Sequence, residues 1–154
     1  MNDHGSLRVQ NSGSFDLPLT PDEAFPLFTA EGERRWVPGW SPEILGSLPQ
    51  HRGLVFLTEV DRAQTIWTVL ESDPAACTHL YSRVTPGKTA GIVEVKLFPA
   101  RNGCRVSVSY DMTALSEAGQ QAIATYRGSA FDEMLAKWQE LIAAALEREQ
   151  FLPA

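Results

Sequence analysis

The chain is poor in cysteine, in positive charge and in long apolar runs. Its 154 residues include only two cysteines, Cys77 and Cys104. Two thiols build neither a disulfide framework nor a four-thiolate zinc site, and a reducing, cytoplasmic setting is the simplest expectation. The three histidines, His4, His51 and His79, lie far apart and show no helical metal-ligand spacing. No metal or other cofactor is expected. Lys and Arg number 13 against 19 Asp and Glu, for a net charge of −6. Phosphate backbones are held by clustered Lys and Arg, and here the basic residues are scattered, so nucleic acid is not an expected partner. The sequence has no run of ~18 apolar residues that could cross a membrane as a helix. Its first ten residues lack the basic segment and apolar run of a secretory leader. It also has no internal repeat and no low-complexity tract.

What is present is an ordinary globular composition, 44% hydrophobic and 21% charged. A chain of this length can bury a sizeable core. We expect one domain over residues 6–149, with loose ends at 1–5 and 150–154. Residues 6–17 read as a strand carrying Val9 and Phe15, with Gly13 near a bulge. The stretch LTPDEAF starts a helix. Thr20 caps it, Pro21 suits its first position, and Asp22 and Glu23 suit the positive end of its dipole. A second short helix is expected over 31–36, ended by Pro38 and Gly39.

Strands follow at about 44–47, 53–60, 62–71, 76–84, 88–99 and 103–113. Short turn signals separate them, at Asp61, at Pro86 with Gly87, and at Asn102 with Gly103. Such short connections favour an antiparallel meander. In CRVSVSYDM, the residues Cys104, Val106, Val108, Tyr110 and Met112 fall on one face, and Arg105, Ser107, Ser109 and Asp111 on the other. One face is therefore inward and one wet. Last comes a helix over 116–149, about 50 Å long at ~1.5 Å per residue. Ile123, Tyr126, Phe131, Met134, Leu135, Trp138 and Ile142 form one stripe along it. The phase carries through Gly128, so one helix, bent there, is predicted. A curved antiparallel sheet wrapped on this helix gives an α+β fold.

Several segments resemble a known superfamily. These are LPLTPDEAFPLFT, RWVPGW, the VTPG turn, VEVKLFPARNGCRVSVSYDMTALS and the terminal AFDEMLAKWQELI. Together with the order of elements they resemble the SRPBCC superfamily, over about residues 6–149. That group takes in START lipid-transfer domains, birch-pollen-allergen-like proteins, polyketide cyclases and Hsp90-activator-like domains. The resemblance implies a helix-grip fold of about seven strands, with an interior cavity for an apolar or amphipathic ligand. Fold alone does not name that ligand.

In a helix-grip arrangement RRWVPGW sits at the cavity mouth, with Trp36 turned inward and Trp40 at the lip. Each indole is either core or ligand contact, and a partner-docking patch is the third possibility. Trp67 either lines the cavity or fills the core. His79, Tyr81 and Arg83 share one face of a strand. They either line the cavity or lie on the wet face with Leu80 and Val84 inward. If inward, Arg83 could bind a carboxylate or enolate oxygen, His79 could move a proton and Tyr81 could donate to a carbonyl. Tyr110 and Tyr126 bring hydroxyls to an oily space, and Met112 and Met134 add adaptable surface. Small-molecule binding is the leading expectation. The rivals are a polyketide-cyclase-like lyase or isomerase and a protein-interaction module of the Hsp90-activator-like kind. A homodimer remains open.

Overall fold

The structure is a computed structural model and describes residues 7–150. The expected loose ends lie outside the described residues, apart from Gln150, whose backbone closes the last helix. Seven antiparallel strands form one sheet: β1 (Arg8–Leu17), β2 (Glu43–Leu45), β3 (Val55–Val60), β4 (Ala63–Asp73), β5 (Thr78–Thr85), β6 (Thr89–Ala100) and β7 (Gly103–Ala114). Their order is β1-β7-β6-β5-β4-β3-β2. Strands two to seven are a meander, as the short connections predict, and β1 closes onto β7. The β3–β4 turn is tight, with Asp61 and Arg62 both at positive φ and Val60 opposite Ala63. That pairing matches the two-residue hairpin turn whose twist suits the flanking strands.

Helix α1 (Pro21–Ala24) starts as the sequence predicts. Thr20 accepts the Glu23 amide, and the Glu23 carboxylate accepts the Thr20 amide at 2.9 Å, a reciprocal cap. Pro26 has no N–H to return to the carbonyl of Asp22. The chain tightens there into a 3-10 turn, Phe25–Phe28, and a second 3-10 turn follows at Gly32–Arg35.

Two expectations are corrected. Gly13 makes no bulge, because the β1–β7 register runs without a shift from Arg8 to Leu17. A Cβ at Gly13 would stand 2.7 Å from Leu135 Cδ1, so the glycine lets the last helix press against the strand. That last helix is also not continuous. It divides into α2 (Glu117–Ile123), a 3-10 turn (Ala124–Tyr126), an extended Arg127 and α3 (Gly128–Gln150). Gly128 takes a φ of +50°, where a Cβ is penalised. The side chain of Asn11 donates to the Tyr126 carbonyl released at this break, at 3.0 Å. The break turns Tyr126 inward against Tyr110, ring centroids 4.6 Å apart. Beyond it, α3 lays Phe131, Leu135, Ile142 and Ala145 into the core.

Candidate functional site

The inward face of β5 carries His79, Tyr81, Arg83 and Thr85. Register decides this. His79 lies opposite Val95, Tyr81 opposite Val93, and Arg83 between Gly91 and Trp67. Directly paired residues share a face, and Val93 and Val95 are core. The alternative with Leu80 and Val84 inward is therefore wrong. Four polar or aromatic side chains point into the space between sheet and helix, and they divide it into two unlike ends.

At one end every polar group is paired. His79 Nε2 lies 2.9 Å from the Phe25 carbonyl. That oxygen only accepts, so Nε2 carries the proton and Nδ1 is the acceptor. Ser72 Oγ at 3.1 Å and Gln50 Nε2 at 3.3 Å stand ready to donate to Nδ1. Burial pushes the imidazole down to about 4, with the Phe25 bond opposing, so His79 is neutral at pH 7. The Phe25 ring stacks on it at 4.0 Å. Tyr81 donates to the Phe28 carbonyl, and Gln50 approaches its hydroxyl at 3.1 Å. Trp36 donates to the Leu27 carbonyl and Trp40 to that of Ala30, each at 2.7 Å. A short 3-10 turn leaves most of its carbonyls free. Here core side chains take them up and fasten the turn to the sheet.

The other end is different. Arg83 lies among rings, its guanidinium carbon 5.0 Å from the Trp67 centroid and 6.0 Å from those of Tyr110 and Tyr126. Its Nη1 donates to Tyr126 Oη at 2.9 Å. Its Nε is buried and has no hydrogen-bond partner among the described residues. Burial is the largest influence on Arg83 and opposes its charge. The Tyr110 and Tyr126 hydroxyls and the Glu33 carboxyl outweigh it, and the pKa lies above the ordinary arginine value. Trp67 donates to Thr58 Oγ1 at 2.9 Å, and the hydroxyls of Thr65 and Thr85 meet at 2.7 Å.

Glu33 faces this guanidinium from the second 3-10 turn. The residue as a whole is half-buried, while its carboxyl is turned away from water. Desolvation pushes it up to about 8, against the pull of Arg83, so it is mostly protonated at pH 7. Among the described residues, none hydrogen-bonds that carboxyl. Burial also raises Tyr81 and Tyr110, which stay neutral.

Two spaces lie at this end of the interior, and Arg83 lines the outer one. Glu33, Phe28, Phe56, Trp67, Tyr110 and Trp138 enclose an inner cavity of about 20 Å³, room for one water. An outer pocket of about 250 Å³ opens at the mouth between Trp40, Thr58, Trp67, Arg83, Thr85 and Tyr126. Asp61 and Lys88 stand at its rim. The interior is thus smaller than the resemblance implies, because Arg83 and its rings occupy the middle. Larger hollows lie on the outside of the sheet, beside Ile92 and Asp111, and under Leu48 and Pro49. Neither is lined by a buried polar atom that lacks a partner, so the mouth is the better site.

The structure brings Trp40, Trp67, Arg83 and Tyr126 together at the mouth, and Tyr81 and Tyr110 at the inner cavity. Trp36, His79, Met112 and Met134 line neither space. Trp36 packs on Phe28 and Trp138, Met112 is fully buried and Met134 packs on the core. Sequence reasoning missed Glu33, which reads as one charge in a charged GERR turn. The signal was its spacing, since residues three apart eclipse in a 3-10 turn and Trp36 was already expected inward.

A curved sheet gripping a helix, with a polar group held in an aromatic interior, defines a ligand-binding protein of the helix-grip class. The chain belongs to the polyketide cyclase/dehydrase and lipid transport family, whose model matches residues 8–148. Among curated proteins no sequence match is found. Solved structures share the fold at low identity. Ara h 8.0201 is 16% identical, covering 91% of this chain and 99% of its own, with a TM-score of 0.65. The major latex-like protein 151 of Panax ginseng is 13% identical over 96% and 99%, also at 0.65. Norcoclaurine synthase of Thalictrum flavum, solved with dopamine and hydroxybenzaldehyde, is 11% identical over 89% and 87%, at 0.63. No helix among the described residues is long and apolar enough to cross a membrane.

Proposed function

We propose that the chain binds a small amphipathic molecule through the mouth, its apolar body against Trp40, Trp67 and Tyr126 and a polar group against Arg83. The observation that carries this is the buried Nε of Arg83, which has no hydrogen-bond partner among the described residues. An orphaned buried donor costs about 1–3 kcal/mol, and a ligand acceptor would recover it. The mouth, at about 250 Å³, falls below the ~300 Å³ at which drug-sized pockets begin, so the ligand is small. Covering the apolar surface of the mouth supplies only about 2 kcal/mol, short of a millimolar affinity before association costs. The polar contact must supply the rest. The aromatic pair bound by norcoclaurine synthase fits the same size range. The two free thiols suit a reducing compartment.

Tryptophan fluorescence tests the reading. A ligand at the mouth quenches Trp40 and Trp67, and Trp67→Phe removes part of that response. Native mass spectrometry of protein from its own cells identifies the molecule. Protein without bound small molecules, and no quenching by any member of a panel of amphipathic compounds, would count against it.

A second reading is an enzyme of the cyclase or dehydratase kind, and Glu33 favours it. A protonated carboxyl beside an arginine can give a proton while the guanidinium steadies an enolate oxygen. His79 is withdrawn from that role by its bond to Phe25. Turnover of a polyketone lost in Glu33→Gln, with binding kept, would support it.

A further inference from the structure

We propose that the head group recognised at the mouth is a carboxylate, held by the Nε/Nη2 edge of Arg83, with Glu33 as the residue that leaves that edge free. This rests on the mouth being the binding site. The edge is identified by elimination. Nη1, on the Cδ side of the guanidinium, is committed to Tyr126, and Nε has no partner. On the opposite side Nε and Nη2 form the planar fork that a carboxylate accepts with both oxygens, with the Tyr110 hydroxyl hydrogen-bonded to the same guanidinium. Nε is buried, so binding requires the Arg83 end group to re-orient toward the mouth that it lines, a side-chain change common on binding. An alcohol or ketone satisfies one donor of the two.

Glu33 is the natural internal partner for such a fork, yet the two side chains form no ion pair. Its carboxyl faces the inner cavity unbonded and mostly protonated at pH 7. The positive charge of Arg83 is therefore not spent inside the protein. The other titratable groups around the pair are Tyr81 from β5, Tyr110 from β7 and Tyr126 from the turn before α3. At the rim Asp61 and Lys88 have opposite signs. Those two offset each other, so among the described residues lining the mouth Arg83 leaves one net positive charge, in a chain whose overall charge is −6. As Glu33 ionises above pH 8 it competes for the fork and repels the ligand anion.

The experiment titrates the intact protein with matched pairs of 3-phenylpropionate and 3-phenylpropanol, octanoate and octanol, by calorimetry at pH 7 and pH 9. The acids should bind at least tenfold tighter than the alcohols at pH 7. Arg83→Gln should bring that ratio close to one. The acids should weaken about tenfold by pH 9, from ionisation of one group near 8, and Glu33→Gln should abolish that loss. Independently of any variant, the Arg83 Nε–H resonance should shift on adding acid and not on adding alcohol. Equal binding of acid and alcohol, with quenching at the mouth, overturns the head-group proposal and leaves the binding site standing. An acid preference that survives Arg83→Gln overturns the assignment to Arg83, and acid binding flat from pH 7 to pH 9 overturns the part given to Glu33. No binding of either member of any pair overturns the proposal and the mouth together.

Discussion

His79 and Arg83 lie four residues apart on the same face of β5, and the protein treats them in opposite ways. Around His79 each donor has an acceptor: Phe25, Ser72, Gln50 and Tyr81 close a network that ties the 3-10 turn to the sheet. Around Arg83 one donor edge and one carboxyl are left over. His79 is sealed in the core and Arg83 is half-buried at the mouth, and beyond depth they differ in satisfaction. A satisfied buried network holds a fold together. An unsatisfied one costs stability and is retained where something else completes it.

That contrast can be broken by mutation. The largest effect is expected for His79→Ala, which leaves the Phe25 carbonyl without its donor and opens a cavity beside the stacked ring. It should cost about 3 kcal/mol in urea unfolding while leaving affinity at the mouth unchanged. Glu33→Gln should act in the other direction. A carboxyl raised in the fold binds more protons there than in the unfolded chain, so native stability falls as pH rises from 4.5 to about 8. The variant should therefore gain on the order of 2 kcal/mol by pH 6, or ~4–8 °C in Tm, and nothing below pH 4.5. A loss at pH 8 would mean that the carboxyl is not desolvated.

The two ends also oppose each other in acid. His79, lowered to about 4, is protonated more readily in the unfolded chain, so its contribution is lost as pH falls from 6.5 to 4. Glu33 offsets this between pH 4.5 and 6.5. Thermal scans at pH 4, 5, 6 and 7 should be nearly flat in that window for the native chain. In Glu33→Gln they should show a decline of roughly 1–2 kcal/mol. The smallest effect is expected for Arg83→Met, which removes a buried charge and fills its volume. It should change stability by less than ~1 kcal/mol in either sense while weakening the ligand that the mouth takes. A large loss would make Arg83 a structural residue and erase the contrast.

Much of the fold was legible because its signals are local. Alternation in β7 gave the inward set Cys104 to Met112, and the Thr20 cap marked α1. The turn residues placed the hairpins. The break before α3 was missed because the apolar stripe keeps phase through Gly128. A positive φ at one residue leaves no trace in such a pattern. The candidate site was legible in part. Trp40, Trp67, Arg83 and Tyr126 do meet, but β5 is mixed on both faces, so periodicity could not choose between His79 and Leu80. Glu33 could have been placed by its spacing from Trp36, but its protonation could not, since that depends on residues far from it in the chain.

The amino-acid order by itself determined the elements and their caps, and through alternation the inward faces of β6 and β7, because those follow from backbone sterics and from the two- and 3.6-residue periods. The closed end around His79 and the open end around Arg83 were decided only in three dimensions. Phe28, Phe56, Trp67, Tyr110 and Trp138 come from separate elements to enclose the cavity that one carboxyl faces, while Trp40, Trp67 and Tyr126 frame the mouth that Arg83 lines. Desolvation is a property of that enclosure and of no single segment.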